Sequence, residues 1–199
     1  MRYTGPKDKL SRKFGEIISG MPDFELNKRP YPPGQHGQKR SKNSEYGNLL
    51  IEKQKLRISF GVTERQFRRV FKMASKVKGP TAEILIQLLE TRLDNLVYRM
   101  GFAPTLPFAR QMVAHGHVLV NSKKIDIPSY QVKQGQEISL KAKIKDLETV
   151  KKSLSDSPQV LDYLQVNKEE FKGKLVEMPK RANIPITVND RLVVEFYSR

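Results

Sequence analysis

Cysteine is absent from all 199 residues. That removes any disulfide framework and the thiolates of a zinc knuckle, and it fits a reducing compartment. No hydrophobic run approaches the length of a membrane span, and the start "MRYTGPKDKLSRKFG" lacks the apolar stretch of a signal peptide. A cytoplasmic chain without a membrane partner is expected. Histidine occurs only at His36, His115 and His117, with no carboxylate cluster nearby, so no metal is assigned. "PPGQHGQKR" lacks the G-x-x-x-x-G-K-[ST] spacing of a phosphate loop, and neither HExxH nor GxSxG occurs. Spacing alone leaves open an enzyme whose groups assemble from distant positions.

Acidic residues are also scarce: 21 against 37 Lys and Arg, a formal net charge of +16. A compact chain with that imbalance repels itself, and a polyanionic partner relieves the repulsion. The excess is uneven. Residues 1–45 hold ten basic and five acidic side chains, whereas "KQKLRISFGVTERQFRRVFKMASKVK", residues 53–78, holds nine and one. The second stretch alone supplies half of the net charge.

Within it, Thr63 and Gln66 have the spacing of a capping box after a break at Gly61. Phe67, Val70, Phe71, Ala74 and Val77 then recur at helical spacing, while Arg65, Arg68, Arg69, Lys72 and Lys76 fall outside that stripe. An ordinary solvated face mixes signs through i,i+4 pairs, and only Glu64 is available here. The face is read as phosphate-binding. "SEYGNLLIEKQKLRISFG" upstream reads as a second helix carrying Lys53 and Arg57, and "TAEILIQLLETRLDNLVYRMG" downstream as one strong helical stripe. On that stripe Arg92, Asn95 and Arg99 share a face suited to phosphate and sugar contacts. The alternative for Arg92 is an internal pair with Asp94 or Glu90.

After Gly101, Thr105 is a plausible N-cap with Pro107 in the first turn. Phe108, Met112 and Val113 give that short helix an apolar side, and Gly116 ends it. "HVLVN" alternates as a strand, Ser122-Lys123-Lys124 reads as a turn, and "IDIP" and "QEISL" read as further strand. "KRANIPITVNDRLVVEFYSR" fits a strand through Val193, Val194 and Phe196, or a helix capped near Asn189 or Asp190.

"RLDNLVYRMGFAPTLPFARQMVAHGHVLVNSKKIDIPSYQVKQGQEISL" resembles the small RNA-binding module of the small-subunit ribosomal protein S-four family, and the flanks "YTGPKDKLSRKFG", "KRPYPPGQHG", "SEYGNLLIEKQKLRISFGVTERQFRRVFKMA" and "VVEFYSR" resemble the same family in order. The type resembled is bacterial or organellar. The resemblance implies an α+β fold, a mainly helical split domain with an inserted small α/β module of two helices and a small antiparallel sheet. Its expected parts are an extended basic segment at 1–45, a helical domain at 46–90 completed by the returning 180–199, and the RNA-binding module at 91–179. It favours helix for 190–198. It implies no enzyme and no cofactor, but a monomeric ribosomal constituent that binds small-subunit ribosomal RNA early in assembly, at a multi-helix junction. Further implied partners are ribosomal protein S-five, across an interface that influences decoding accuracy, and messenger RNA near its entry path together with ribosomal protein S-three.

The family's helix-loop-helix surface maps onto Arg92, Arg99, Thr105 and Arg110, followed by His117 and Asn121. With the cationic stretches these complete the candidate RNA-binding set: Arg2, Lys9, Arg12, Lys13, His36, Lys39, Arg40, Lys42, Lys53, Arg57, Arg65, Arg68, Arg69 and Lys72. Two departures stand out. Relatives often carry basic residues after the Thr, where this chain reads Thr105-Leu106-Pro107-Phe108; others hold zinc through four cysteines that this chain lacks.

The segment "RPYPPGQHGQKRSKNSEYG" has no apolar periodicity. Its prolines keep it extended, Gly34 and Gly37 let the backbone approach another surface, and Lys39, Arg40 and Lys42 present charge. It is read as ordered by an RNA surface, against the alternative of a flexible linker. Two rival functions are an RNA-modifying enzyme carrying the same module, for which residues 151–199 are too short a catalytic domain, and a free RNA chaperone of the heat-shock type.

Overall fold

The computed structural model describes residues 3, 5–18, 29–39, 42–156 and 161–198. The chain forms two compact units, one made of residues 1–82 with 186–199, the other of residues 83–185.

In the first unit, α1 (Lys7–Phe14) lies inside the stretch expected to be extended. Asp8 in its first turn and Arg12 and Lys13 in its last complement the helix dipole. Gly15, at φ 71°, closes it with its N–H on the Ser11 carbonyl. These end signals override the expectation locally. α2 (Glu45–Ser59) starts at Ser44, whose hydroxyl accepts from the Gly47 N–H, and buries Leu49 and Leu56. Gly61, at φ 58°, turns the chain into α3 (Glu64–Ala74). The expected capping box is formed: Thr63 accepts from the Gln66 N–H, and the Gln66 side chain accepts from the Thr63 N–H.

The returning C-terminal segment ends in α9 (Asp190–Ser198), a helix as the resemblance favours. It packs along α2 and buries Val193 completely. Its aromatic rings reach α2 and α3: Tyr197 stacks on Phe71 and Phe67 at centroid distances of 4.6 and 5.9 Å, and Phe196 lies 5.7 Å from Tyr46. Lys55 closes the unit by pairing with Glu16 and Glu52, while Glu16 also accepts from the Thr187 hydroxyl.

In the second unit the single helical stripe expected for 81–100 is broken into α4 (Thr81–Glu90) and α5 (Leu93–Arg99). Thr91 and Arg92 leave the helix because the 128–132 segment supplies other partners. The carbonyls of Tyr130 and Pro128 accept from Leu93 and Asp94, and the Val132 N–H donates to Thr91. The first free N–H groups of α5 are thereby satisfied without capping from α4. α6 (Leu106–Ala114) follows, with Thr105 accepting from the Phe108 N–H as its N-cap and Pro107 in the first turn. Gly116 ends it at φ 70°.

β1 (Val118–Val120) and β2 (Lys123–Lys124) form a hairpin whose two turn residues, Asn121 and Ser122, both have positive φ. The turn therefore lies one residue earlier than expected and Lys123 and Lys124 belong to a strand, whereas the strand expected at Ile125–Pro128 does not form. After the Ile125 N–H bonds to Val118 the chain leaves the sheet, and Pro128 and Tyr130 accept from Asp94 and Leu93 instead. β3 (Glu137–Leu140) pairs with β1 as its alternation implies. α7 (Ala142–Lys145) and α8 (Glu148–Ser155) lead to a second hairpin, β4 (Leu164–Asn167) and β5 (Lys172–Leu175). The antiparallel sheet runs β2-β1-β3-β5-β4. Gly173 in β5 faces Met100, where a Cβ would come within 2.5 Å of the sulfur, so the end of α5 sits directly on the sheet. The fold is α+β.

Candidate nucleic-acid interface

α3 presents its cations because its one carboxylate is turned away. Glu64 Oε2 accepts from Lys53 Nζ at 2.9 Å and lies 3.7 Å from Arg57 Nε, while Oε1 accepts from the Tyr197 hydroxyl at 2.7 Å. Burial raises the Glu64 carboxyl, but the bonds from Lys53 and Tyr197 outweigh it, so it titrates below the ordinary glutamate value. Arg65, Arg68, Arg69 and Lys72 are exposed and, with Met73 and Lys76, line a concavity of about 330 Å³. None of these cations pairs with a carboxylate among the described residues. At 100° per residue, Arg65, Arg69 and Lys72 fall within a sector of about 60°, spread over about 10 Å at 1.5 Å rise per residue, and Lys76 follows in the turn after the helix. Such a ridge of like charges has the character of a surface for a polyanionic backbone.

Of Lys53 and Arg57, both expected on this surface, Lys53 is internal and Arg57 is half-buried. Lys53 is 4% exposed, its ammonium held by Glu64 and lying 4.7 Å over the Phe196 ring. Arg57 donates to Gln54 and to the Val62 carbonyl. Arg12 is likewise engaged: its Nε donates to the Tyr31 carbonyl and its guanidinium lies 5.1 Å over the Tyr31 ring. The Pro/Gly segment is thus held in part by the chain's own α1. Gly37 fits there because any Cβ would collide with the Pro32 carbonyl. Lys9, Lys13, His36, Lys39 and Lys42 are exposed. Arg2 and Arg40 lie outside the described residues.

In the second unit Arg92 and Arg99 also face inward. Arg92, 2% exposed, forms a two-pronged bond to Asp94 at 3.0 and 2.6 Å. Arg99 Nε donates to Glu90 Oε1 at 2.7 Å, and the Tyr163 hydroxyl donates to the same oxygen at 2.7 Å. Burial, then the Glu90 charge, push the Tyr163 phenol far above its ordinary value, so it remains a donor. Asn95 donates to the Glu90 carbonyl. The shared face expected of Arg92, Asn95 and Arg99 is a buried network, because the chain breaks at Thr91. Arg110 lies 3.7 Å from Asp94, and Asn121 accepts from the Glu137 N–H within the hairpin.

A smaller cationic patch surrounds His117. Its carbonyl accepts from the Lys141 N–H, and its ring lies 6.1 Å from that of His115. Burial first, and then the charges of His115, Lys141 and Lys143, hold His117 below its ordinary value. Lys76 lies with the α3 cations, as its grouping with that face implies. Lys141 and Lys143 carry no such signal in residue order, because only the sheet register brings them to His117.

Two family models account for residues 2–138. Residues 2–90 match the ribosomal protein S4/S9 N-terminal domain, and residues 91–138 match the S4 domain. A small ribosomal subunit protein uS4 from Geobacillus sp. (strain WCH70) is 52% identical over 199 residues, covering all of this chain and 99% of the relative. Proteins of the same name from Brevibacillus brevis and Flavobacterium psychrophilum are 50% and 48% identical over 200 residues. The chain belongs to the ribosomal protein S4 family. This is a structural, non-enzymatic family, and the present member is a cysteine-free one. Among the described residues no cluster of three metal-ligating side chains occurs, and no helix is long and apolar enough to cross a membrane.

Proposed function

We propose that this S4-family chain is a structural constituent of the small ribosomal subunit, in the cytoplasm, and that it binds small-subunit ribosomal RNA chiefly through the α3 ridge. The observation that supports the site is the set of exposed cations on α3 with their one local carboxylate engaged elsewhere. Exposed cations without internal partners have no ion pair to break before they replace the counterions of RNA. The His117 patch and the exposed Lys39 and Lys42 add secondary contacts. If about eight phosphates are neutralised, the log–log slope of affinity against salt lies near −6 to −7. A slope near −1, or equal affinity for random duplex DNA, overturns a specific RNA site.

Family membership supports the finer reading. The chain attaches early, at a multi-helix junction, as a monomer, and meets ribosomal protein S-five at an interface that tunes decoding accuracy. Lys39, Arg40 and Lys42 lie near the messenger entry path together with ribosomal protein S-three, and hold separated strands by their phosphates. Subunits carrying Ala at all three positions should assemble normally and translate unstructured messenger at normal speed, but slow at a stable hairpin. Equal speeds on both templates overturn the messenger role.

A further inference from the structure

Glu64 stands four residues before Arg68 on α3, the spacing and order at which a carboxylate and a cation pair best across a helical turn. The structure does not make that pair. Both Glu64 oxygens are directed to Lys53, Arg57 and Tyr197, and Arg68 is left exposed without an ion pair or side-chain hydrogen bond among the described residues. The Tyr197 hydroxyl reaches Glu64 from a fixed position, because its ring is stacked on Phe71 and Phe67. Lys53 is equally fixed, buried and seated over Phe196.

We infer that Tyr197, assisted by Lys53, holds the Glu64 carboxylate away from Arg68, so that the C-terminal helix sets how many positive charges α3 offers to a phosphate backbone. A released Glu64 would neutralise Arg68 and repel the incoming phosphate as well. Tyr197 and Lys53 are then positioning residues: neither touches RNA, yet both govern how RNA is bound. The inference rests on the reading of α3 as the RNA face.

The test uses the full chain and a small-subunit ribosomal RNA transcript, with affinity measured across a salt titration. Tyr197→Phe keeps the stacked ring and removes the hydroxyl. It should weaken binding by about tenfold and make the salt slope shallower by about one unit, as loss of one phosphate contact does. Adding Glu64→Gln to Tyr197→Phe should restore both, since a neutral amide cannot neutralise Arg68. A purely structural Tyr197 gives the opposite order, with the double variant weaker than the single because Lys53 also loses its charge partner. Failure of Glu64→Gln to rescue therefore overturns the inference. Arg68→Ala separates the two levels. If it weakens binding while Tyr197→Phe does not, the inference falls and the α3 interface stands; if it has no effect, both fall. Should Tyr197→Phe not fold, Lys53→Gln with and without Glu64→Gln frees the same carboxylate from its other side, and the same rescue decides.

Discussion

Arg65, Arg68 and Arg69 on α3 and Arg92 and Arg99 around α5 are the same residue type in helical surroundings, yet the structure uses them in opposite ways. The first three stand in solvent around a concavity without a carboxylate partner. The last two are buried and paired with Asp94 and Glu90. Position relative to acids on the same helix does not explain the difference. Glu64 is ideally spaced for Arg68 and is not used by it, whereas Arg92 and Asp94 are two residues apart, a spacing at which helical side chains do not face each other. Arg92 reaches Asp94 because it is the extended N-cap residue of α5. Glu90 reaches Arg99 across nine residues because the helix is interrupted between them. The fate of each arginine is set by where the chain bends and which element returns over it.

The largest effect expected from breaking this contrast is on stability in the second unit. Arg99→Ala leaves the Glu90 carboxylate, 0% exposed, without its cation. Breaking a buried pair by removing one partner costs about 3–5 kcal/mol. Urea unfolding should show that loss, while the protein that remains folded keeps the RNA affinity of the parent. Lost affinity with unchanged stability would assign Arg99 to the interface instead.

The next effect lies in the first unit and has the opposite signature. Arg68→Glu with Arg69→Glu should leave the unfolding midpoint nearly unchanged, since exposed charges contribute little to stability. Affinity for small-subunit RNA should fall by about a hundredfold or more, through two lost cations and two new repulsions. Lys123→Glu with Lys124→Glu, on exposed β2, should cost far less. A module variant that binds more weakly than the α3 variant overturns the ranking. Circular dichroism must first show both folded.

Much of this contrast was readable from residue order, and the rest depends on tertiary contacts. The capping box of α3, the Thr105 cap of α6 and the strands at 118–120 and 137–140 have local causes and appear as expected, whereas the C-terminal pattern fits strand or helix alike and only the resemblance favours the helix that forms. The α3 ridge was legible because a single acid serves five cations there. The α4–α5 break was not, because Pro128 and Tyr130, some 35 residues downstream, supply the acceptors that make it possible. Without the break, Arg92 and Arg99 read as one outward face. The burial of Lys53 is hidden for a related reason: the aromatic C-terminal helix that covers it returns from more than 130 residues away. β2 is hidden because positive φ at Asn121 and Ser122 does not require glycine, and β5 because its Lys-Gly-Lys-Leu run has only one apolar side chain; β4, Leu164-Gln165-Val166-Asn167, does alternate but spans only four residues.

A smaller effect sharpens the comparison through pH. Glu64 has its folded value lowered, as the bonds from Lys53 and Tyr197 outweigh burial. A depressed carboxylate contributes stability that is present above its unfolded value, near 4.5, and is lost as pH falls through the lower folded value. Glu64 is 39% exposed, so solvent screening limits the contribution to about 1 kcal/mol or less. Glu64→Gln should therefore be slightly less stable than the parent at pH 7 and converge with it below pH 4, read from urea midpoints across that range. A difference that persists at low pH would assign the loss to packing.

The smallest effect concerns His117, where the second unit has its own exposed cations. Burial first, then His115, Lys141 and Lys143, lower its folded value from 6.5. A histidine depressed in this way contributes stability above pH 6.5 that is lost as pH falls through the folded value, because the unfolded chain takes up the proton more readily. NMR titration of the free protein should place His117 below 6.5. Lys141→Ala with Lys143→Ala should raise it only part of the way, since burial is the larger cause and His115 remains 6.1 Å away. RNA supplies the opposite sign. If a phosphate occupies this patch, the lysine charges are neutralised and the imidazolium is favoured, so His117 in the complex should titrate above its free value. Binding then takes up a proton, and affinity should rise modestly between pH 7.5 and 6 in the parent but not in His117→Gln. A His117 value unchanged by saturating RNA would leave this patch outside the interface, and with it the case that both units contact RNA.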